Sequence, residues 1–334
     1  MKIAIVTDES RQKYVPAEEA HFEDNQKKET VKSLKAVLSK KYECIDLIAD
    51  ENLITTLKNE NVDLVFNLCN GIVGNGKLAQ VPAMLEFANI PYTSSSIVGH
   101  TLASYKILAS TVFKCNNIPT PGFVSIEKLS DIENIDMGFP ILVKPNDEGS
   151  SRGIHQDSLV FNKDELEKKL KDALDTYNPP IMLNEFIEGG KELSVGIVGN
   201  GDDITILPIQ ELDMSNLQDN LLRFYSFEVK TYYKPQMVYH FPARLSEEEQ
   251  RLVEETALRA YKALSIRDYG RVDMILKDGV PYVLEINSLP GLMVGKSSLY
   301  RMAEACDLGY ENLVLKIVEV AMKRYQLDVS THEG

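Results

Sequence analysis

Apolar residues along the chain fall into short runs with two different periods, and the runs alternate. KIAIVTD (residues 2–8) is a continuous apolar run stopped by Asp8-Glu9-Ser10, as a buried strand is. In KKETVKSLKAVLSKKY, Val31, Leu34, Val37 and Leu38 recur at helical spacing. CIDLIAD and VDLVFNL read as two further strands, so residues 1–70 alternate strand, helix, strand and predict an open, mostly parallel sheet. KLAQVPAMLEFANI continues as a helix with Pro82 near its first turn, where a missing N–H costs little. PYTSS then closes a first unit, residues 1–98.

A second unit, residues 99–190, starts with one helical pattern from His100 to Asn117. GFVSI follows as a short strand, and FPILVKPNDEGSSRGI reads as a strand running into a polar, glycine-containing loop. KDELEKKLKDALDTY is a charged amphipathic helix. PIMLNEFI, ELSVGIVGN and DITILPIQEL are strands in succession, whose short connections predict an antiparallel sheet. In the third unit, residues 191–334, LSEEEQRLVEETALRAYKAL is a helix with Ser246 as its N-cap ahead of three glutamates. YGRVDMIL and VPYVLEIN form a hairpin about Lys277-Asp278-Gly279, and two helices end the chain, near Ser298–Cys306 and Glu311–Tyr325. The fold class is α/β followed by α+β.

Composition narrows the choice of partners. The 334 residues are 44% hydrophobic and 26% charged, the balance of a globular protein. A formal charge of −14 argues against a nucleic-acid or anionic-membrane surface, while leaving room for a local basic pocket. No apolar run approaches the ~18 residues that a membrane span needs. MKIAIVTDES turns polar too soon for a secretory signal, so a cytoplasmic location is expected. The four cysteines, Cys44, Cys69, Cys115 and Cys306, show no C-x-x-C spacing and read as reduced thiols.

The hairpin carries the chemistry. Glu285 and Asn287 are two apart on one strand, so both point to one face, and Asp273 lies across the hairpin from them. Two carboxylates and an amide oxygen make a hard, oxygen-rich set of the kind Mg²⁺ takes and shares with nucleotide phosphates. Solvated acids on a polar edge strand are the plainer reading, and the apolar Leu284 and Ile286 argue against it. Lys144 ends a strand ahead of a small-residue loop with Gly149, Ser150 and Ser151, whose N–H groups and hydroxyls suit phosphate oxygens. Taken alone, such a loop is more often a simple turn. Lys106, on the preceding helix pattern, is by default a solvated surface lysine.

LVKPNDEGSSRGI, LNEFIEGGKELSVGIVG, YGRVDMIL and YVLEINSLPGL occur in this order at fitting distances. Together with NGIVGNG, AMLEFANIPYTSSS and ASYK, they resemble the D-alanine–D-alanine ligase branch of the ATP-grasp superfamily, over about Leu64 to Leu299. The resemblance implies an N-terminal α/β domain followed by two α+β subdomains that clamp ATP. It assigns Lys106 and Lys144 to the phosphates, and Ser150 and Ser151 to the loop over them. Asn184, Glu185 and Ile187 fall at the adenine, and Glu192 at the ribose. Asp273, Glu285 and Asn287 match Mg²⁺ ligands, with Mn²⁺ an alternative ion. Arg271, aided by backbone near Gly291, matches the group that stabilises a tetrahedral intermediate. Lys230 sits on a lid, residues 213–235, that closes over ATP. The implied reaction joins a small-molecule carboxylate to an amine through an acyl phosphate, and a homodimer is implied by the resemblance alone. A small-molecule kinase and a non-catalytic nucleotide-binding protein are the rival readings.

The substrate end departs from that family's pattern. TDESRQKYVPAEEAHFED replaces the small-residue loop after the first strand, leaving Glu9, Glu18 and Glu19 as candidate acids. Thr231 stands where a tyrosine usually follows the lid lysine. NGIVGNGKLAQ replaces an acidic segment, and Asn184 replaces an acid at the adenine edge. LMVGKSSLY after Gly291 carries an extra residue, so either Ser297 or Ser298 takes the family's serine position. ATP-dependent carboxylate activation therefore follows more firmly than D-alanyl-D-alanine as the product.

Overall fold

In the computed structural model, residues 1–10, 17–72, 74, 76–149 and 151–327 are described, without the side chains of residues 17–23 and 134. The chain starts with β1 (Lys2–Asp8), α1 (Ala17–Leu38), β2 (Glu43–Ala49), α2 (Leu53–Asn59), β3 (Leu64–Asn67) and α3 (Gln80–Phe87). The three strands form a parallel sheet in the order β2-β1-β3. The unbroken apolar run of β1 is explained by burial on both faces. Ile3 and Ile5 pack with Leu34 and Leu38 of α1, while Ala4 and Val6 pack with Leu53, Leu57, Val81 and Leu85 of α2 and α3. No helical pattern marks α2 in the sequence, because its three apolar residues, Leu53, Ile54 and Leu57, are too few to establish a period.

Next come α4 (Ile97–Ser104), α5 (Lys106–Cys115), β4 (Phe123–Ile126), β5 (Ile141–Pro145), β6 (Leu159–Val160), α6 (Lys163–Thr176) and β7 (Ile181–Glu185). The single helix expected over 100–117 is two, broken at Tyr105, which is extended at φ −104° and ψ 103°. Asn146 makes the break stable. Its carbonyl accepts from Lys106 N–H (3.0 Å) and its side-chain oxygen from Ile107 N–H (2.9 Å), so the donors exposed by the break are satisfied. The four strands run in the order β4-β7-β5-β6, antiparallel throughout. Ile141, Val143, Ile181 and Leu183 pack on Leu166, Leu170 and Ala173 of α6. Alternation then puts Lys144, Met182 and Asn184 on the opposite face.

The last part holds β8 (Lys191–Asn200), β9 (Asp203–Ile206), β10 (Gln210–Asp213), α7 (Phe227–Tyr232), β11 (Val238–His240), α8 (Glu247–Ala263), β12 (Tyr269–Lys277), β13 (Val280–Asn287), α9 (Ser298–Glu304) and α10 (Gly309–Arg324). DITILPIQEL is two strands rather than one, and β7 does not join β8 but belongs to the preceding sheet. The sheet order is β11-β10-β8-β12-β13, with β9 on β8. Ser246 caps α8 through a reciprocal pair, its hydroxyl accepting from Glu249 N–H and Glu249 accepting from its own N–H. Helices α5 and α8 cover Leu193, Val195, Val272, Met274, Val283 and Ile286.

A bulge in the β12–β13 hairpin decides what the other face carries. Met274 pairs with Val283 but Asp273 pairs with Glu285, so Leu284 is the extra residue. Without it, strict alternation would put Val283 and Glu285 on one face. The bulge keeps Val283 and Ile286 buried and turns Glu285 and Asn287 out together. Leu284, expected to be buried, is half-exposed for this reason.

Residues 214–237 hold a small core of their own, with Met214, Leu217, Val229 and Met237 buried. Asp268, fully buried, joins distant parts of the fold. It accepts from Ser94 N–H (2.9 Å), from Asn200 Nδ2 (2.9 Å) and from two nitrogens of Arg324 (3.1 and 2.7 Å). Among the described residues no helix is long and apolar enough to cross a membrane. Because Asp268→Ala leaves Arg324 without its buried partner, it should cost about 3–5 kcal/mol in urea unfolding. A loss under about 1 kcal/mol would show that the hub contributes no more than a surface pair.

Candidate active site

Antiparallel register places Arg271 opposite Asn287 and Asp273 opposite Glu285, and all four side chains share the face away from α8. Arg271 grips Asp273 with two bonds, Nε to Oδ1 (2.7 Å) and an Nη to Oδ2 (2.6 Å). Ser194 Oγ, the β8 neighbour of Asp273, donates to Oδ1 (2.7 Å), and Asn287 Nδ2 donates to Oδ2 (2.9 Å). Both oxygens of Asp273 are therefore taken. Glu285 is more open, with its side chain 35% exposed and Lys106 Nζ 3.8 Å away.

Two lysines from the neighbouring sheet region converge on Glu285. Lys144 ends β5, and Lys106 opens α5 at the helix break. Both are buried at 6% exposure, so Lys106 is not the solvated surface lysine that the helix pattern suggested. Its ammonium donates to Glu148 O, while the Glu148 carboxylate meets Arg152 (2.8 Å) and Lys77 (3.6 Å). Burial, with Lys106 beside it, pulls the Lys144 ammonium down to about 8 against the pull of Glu285. Burial would raise the Glu285 carboxyl, but Lys106, Lys144 and Arg271 outweigh it and hold it below the usual range. Burial also lowers Lys230 to about 8, with Arg271 adding to the effect.

Lys230 lies on α7, within the segment between β10 and β11. That segment docks on the loop after β5. Phe227 N–H donates to Ile154 O (2.7 Å), and Ser151 Oγ to Tyr225 O (3.3 Å). Glu228 receives Gln156 N–H (3.2 Å) and meets His155 Nδ1 (2.8 Å), while Gln156 also bonds Ser226 Oγ (2.9 Å). Gly153 allows the loop to close. At φ +73°, a Cβ there would sit 2.5 Å from the Pro145 ring. Ser151 is itself left-handed at φ 62°. Ser150 lies outside the described residues. Of the aromatics after Lys230, Tyr232 is 67% exposed.

Asn184 is buried, and its amide donates to Gly122 O (3.0 Å), tying β7 to the start of β4. Glu185 is exposed, with Oε2 taking Gly122 N–H (3.0 Å). Ile187 lies half-buried in the connection to β8. Glu192, on the same face of β8 as Ser194, is pushed up to about 7 by burial and by Asp273.

Beyond β13, Ser297 Oγ accepts from Met293 N–H (2.8 Å), and a Cβ built on Gly291 would come within 2.9 Å of that oxygen. Ser297 thus stands beside Gly291, whereas Ser298 is the first residue of α9. Glu9 is exposed, and the side chains of Glu18 and Glu19 lie outside the described residues. The acid that reaches the NGIVG segment is Asp8, buried, which accepts from Asn70 N–H (2.6 Å) and Gly71 N–H (3.1 Å). Asp8 was read only as a strand stop. A second missed group is His100, buried between Ser94 Oγ (3.1 Å) and Ser288 Oγ (2.8 Å) and held down to about 3, hence neutral, by burial and Arg267. Among the described residues no cluster of three His, Cys, Asp or Glu forms a metal site, so an ion here depends on the amide oxygen of Asn287 as well as two carboxylates.

Residues 112–319 match the family model described as D-ala D-ala ligase C-terminus. The chain is 33% identical over 303 residues to a D-alanine--D-alanine ligase of Carboxydothermus hydrogenoformans, covering 87% of this chain and 92% of that protein. It is also 33% identical over 285 residues to the uncharacterized protein y4sG of Sinorhizobium fredii, covering 83% and 82%. A solved D-alanine--D-alanine ligase of Bacillus anthracis complexed with ATP superposes with a TM-score of 0.73 at 24% identity, covering 98% and 99%. The VanG D-Ala:D-Ser ligase of Enterococcus faecalis superposes at 0.74 with 20% identity, covering 96% and 99%. These likenesses show the ATP-grasp fold that the motifs implied.

The lysine charges set a pH expectation for any polyphosphate ligand. Lys144 and Lys230 are charged below about 8 and lose that charge above it. Affinity for inorganic triphosphate should therefore fall about tenfold per pH unit per lysine above pH ~8. Calorimetric titration between about pH 7 and 9.5 reads this directly. A flat affinity would contradict the assignment of the phosphate cations.

Proposed function

The chain belongs to the D-alanine–D-alanine ligase family, and from that premise we propose that it is an ATP-dependent ligase joining a carboxylate to an amine, with release of ADP and phosphate. The observation that carries this reading is the four-residue block Arg271, Asp273, Glu285 and Asn287, faced by Lys106, Lys144 and Lys230. Lys106 and Lys144 hold the triphosphate, with the loop through Ser150 and Ser151 and the lid lysine Lys230 closing over it. Asn184, Glu185 and Ile187 border the base, and Glu192 meets the ribose.

The donor set fits Mg²⁺: Glu285 is open, Asn287 offers an oxygen while its nitrogen is spent on Asp273, and all donors are hard oxygens. Glu285, Asn287 and Asp273 would hold the ion, Asp273 with an oxygen that Arg271 now holds. When bound, Mg²⁺ neutralises charge on the phosphates during transfer.

The substrate carboxylate attacks the γ-phosphorus, the bond to ADP breaks, and an acyl phosphate forms. Lys144 and Lys230 bear the negative charge on the transferring group. The amine then attacks the acyl carbon, and phosphate leaves with the bonding pair. Arg271, released in part from Asp273, stabilises the tetrahedral oxyanion together with backbone near Gly291. The lid, seated through Glu228 on His155 and Gln156, excludes water that would hydrolyse the acyl phosphate. A kinase that stops at the phosphorylated product has no use for Arg271 beside the metal residues, so ligation is the better reading. The altered segments at Asp8–Glu9, residues 70–80 and 292–300 argue for a substrate pair other than two D-alanines.

Mass spectrometry of products from paired amino acids with Mg²⁺ and ATP should show a condensed product and no stable phosphorylated one. Glu285→Gln should lower kcat about a hundredfold or more, the scale of one lost charge-stabilising contact, while the circular dichroism of the folded chain is retained. Near-normal turnover in that variant would remove Glu285 from the metal set.

A further inference from the structure

Two groups of residues lie within the field of Arg271. One is Glu285 with Lys106 and Lys144, the residues assigned above to the metal and the phosphates. The other begins at Tyr239 of β11, which lies within the field of both Arg271 and Arg301. The Arg301 guanidinium lies over the Tyr239 ring at 5.0 Å, and its Nη donates to Gly295 O (3.4 Å). Gly295 and Lys296 belong to the turn that brings Ser297 beside Gly291. Lys234, on the turn just before β11, is in the field of both Arg301 and Lys296.

Among the described residues no carboxylate pairs with Lys234, Lys296 or Arg301, although the chain has 50 acids against 36 basic residues. The nearby acids are committed elsewhere. Glu304, on the same helix as Arg301, accepts from Tyr310 N–H (2.8 Å), Glu228 is on His155, and Asp213 is on Arg244 (2.7 Å). Glu192 is in the field of Tyr239, from the β8 side. Lys234 and Lys296 are exposed and Arg301 is half-buried, so water screens their mutual repulsion, and an anion seated among them would gain from all three charges.

We infer that Lys234, Lys296 and Arg301 form a specificity site for the amine substrate, and that this substrate is a dicarboxylate of the acidic amino-acid class. The inference rests on the ligase reading and names its second substrate. Phosphates already have Lys106, Lys144 and Lys230, so the ligand here is a different anion. The amine must reach the acyl carbon beside Arg271, and Tyr239 lies within the field of Arg271 and under the Arg301 guanidinium. One carboxylate would leave most of the three cations unneutralised, and two carboxylates match them better. The lid contributes Lys234, so closure over ATP also completes this site.

The test uses the full chain with Mg²⁺ and ATP, following ADP release and product mass. Acceptors are D- and L-aspartate and glutamate against D- and L-alanine, serine and lysine, across a panel of carboxylate donors. The acidic acceptors should be preferred by about tenfold or more in kcat/KM, the scale of one charge-assisted contact. Lys296→Met/Arg301→Met should erase that preference through the acceptor KM while the KM for ATP holds. Lys296→Glu/Arg301→Glu should move preference toward lysine, a gain that misfolding cannot produce. Condensed product formed equally well from alanine would overturn the dicarboxylate assignment and leave the ligase standing. An acidic preference that survives both double variants would overturn the site. No condensed product with any pair would overturn the ligase reading and this inference with it.

Discussion

Lys106, Lys144, Lys230 and Arg271 are drawn together around the carboxylates of Glu285 and Asp273, with Glu192 beside Asp273. Like charges this close in a partly buried cleft are tolerable only because those acids balance them and because a polyanion replaces the lost water when it binds. Asp273 holds Arg271 by two bonds and Glu285 faces Lys106 at 3.8 Å. The result is a site whose charges are arranged before the ligand arrives, so little reorganisation remains for the reaction itself.

Much of the surrounding architecture follows from that need. The helix break at Tyr105 turns Lys106 inward, and Asn146 satisfies the N–H groups which the break exposes. The bulge at Leu284 turns Glu285 and Asn287 out while Val283 and Ile286 stay buried. His100 fixes Ser288, the residue after Asn287, to Ser94 and so to the first sheet through Asn67. Residues 214–237 pack a small core of their own, which lets them dock as one body on residues 151–156. The helix break, the bulge and the His100 contacts position side chains of the site, and the segment holding α7 brings Lys230 into the field of Arg271 and Glu285.

The strands of the hairpin were legible from their apolar runs about Lys277-Asp278-Gly279, and the shared face of Asp273, Glu285 and Asn287 followed from a spacing of two and a tight turn. The same reasoning could not see the bulge: a single extra residue changes which neighbours share a face, yet it leaves no mark in composition. The helix break was hidden because Tyr105 fits an amphipathic pattern and its cap, Asn146, is 41 positions away. Asp8, His100 and the His155–Glu228 contact were missed for a similar reason, since their partners are far along the chain and single polar residues carry no period. That Ser297 rather than Ser298 stands beside Gly291 needed the shape of a turn. Local pattern predicts elements well, while a site assembled from three sheets is decided by contacts distant in sequence.

The central claim is that the cation cluster serves transfer of the γ-phosphoryl group to a carboxylate, followed by capture of the acyl carbon by an amine. Turnover of a donor whose carboxylate is labelled with ¹⁸O, with analysis of the inorganic phosphate released, tests it most directly. The account predicts one ¹⁸O atom in each phosphate, because the acyl C–O bond breaks with the labelled oxygen still on phosphorus. Phosphate without the label, alongside condensed product, would show that ATP is cleaved by water and would contradict the acyl-phosphate route.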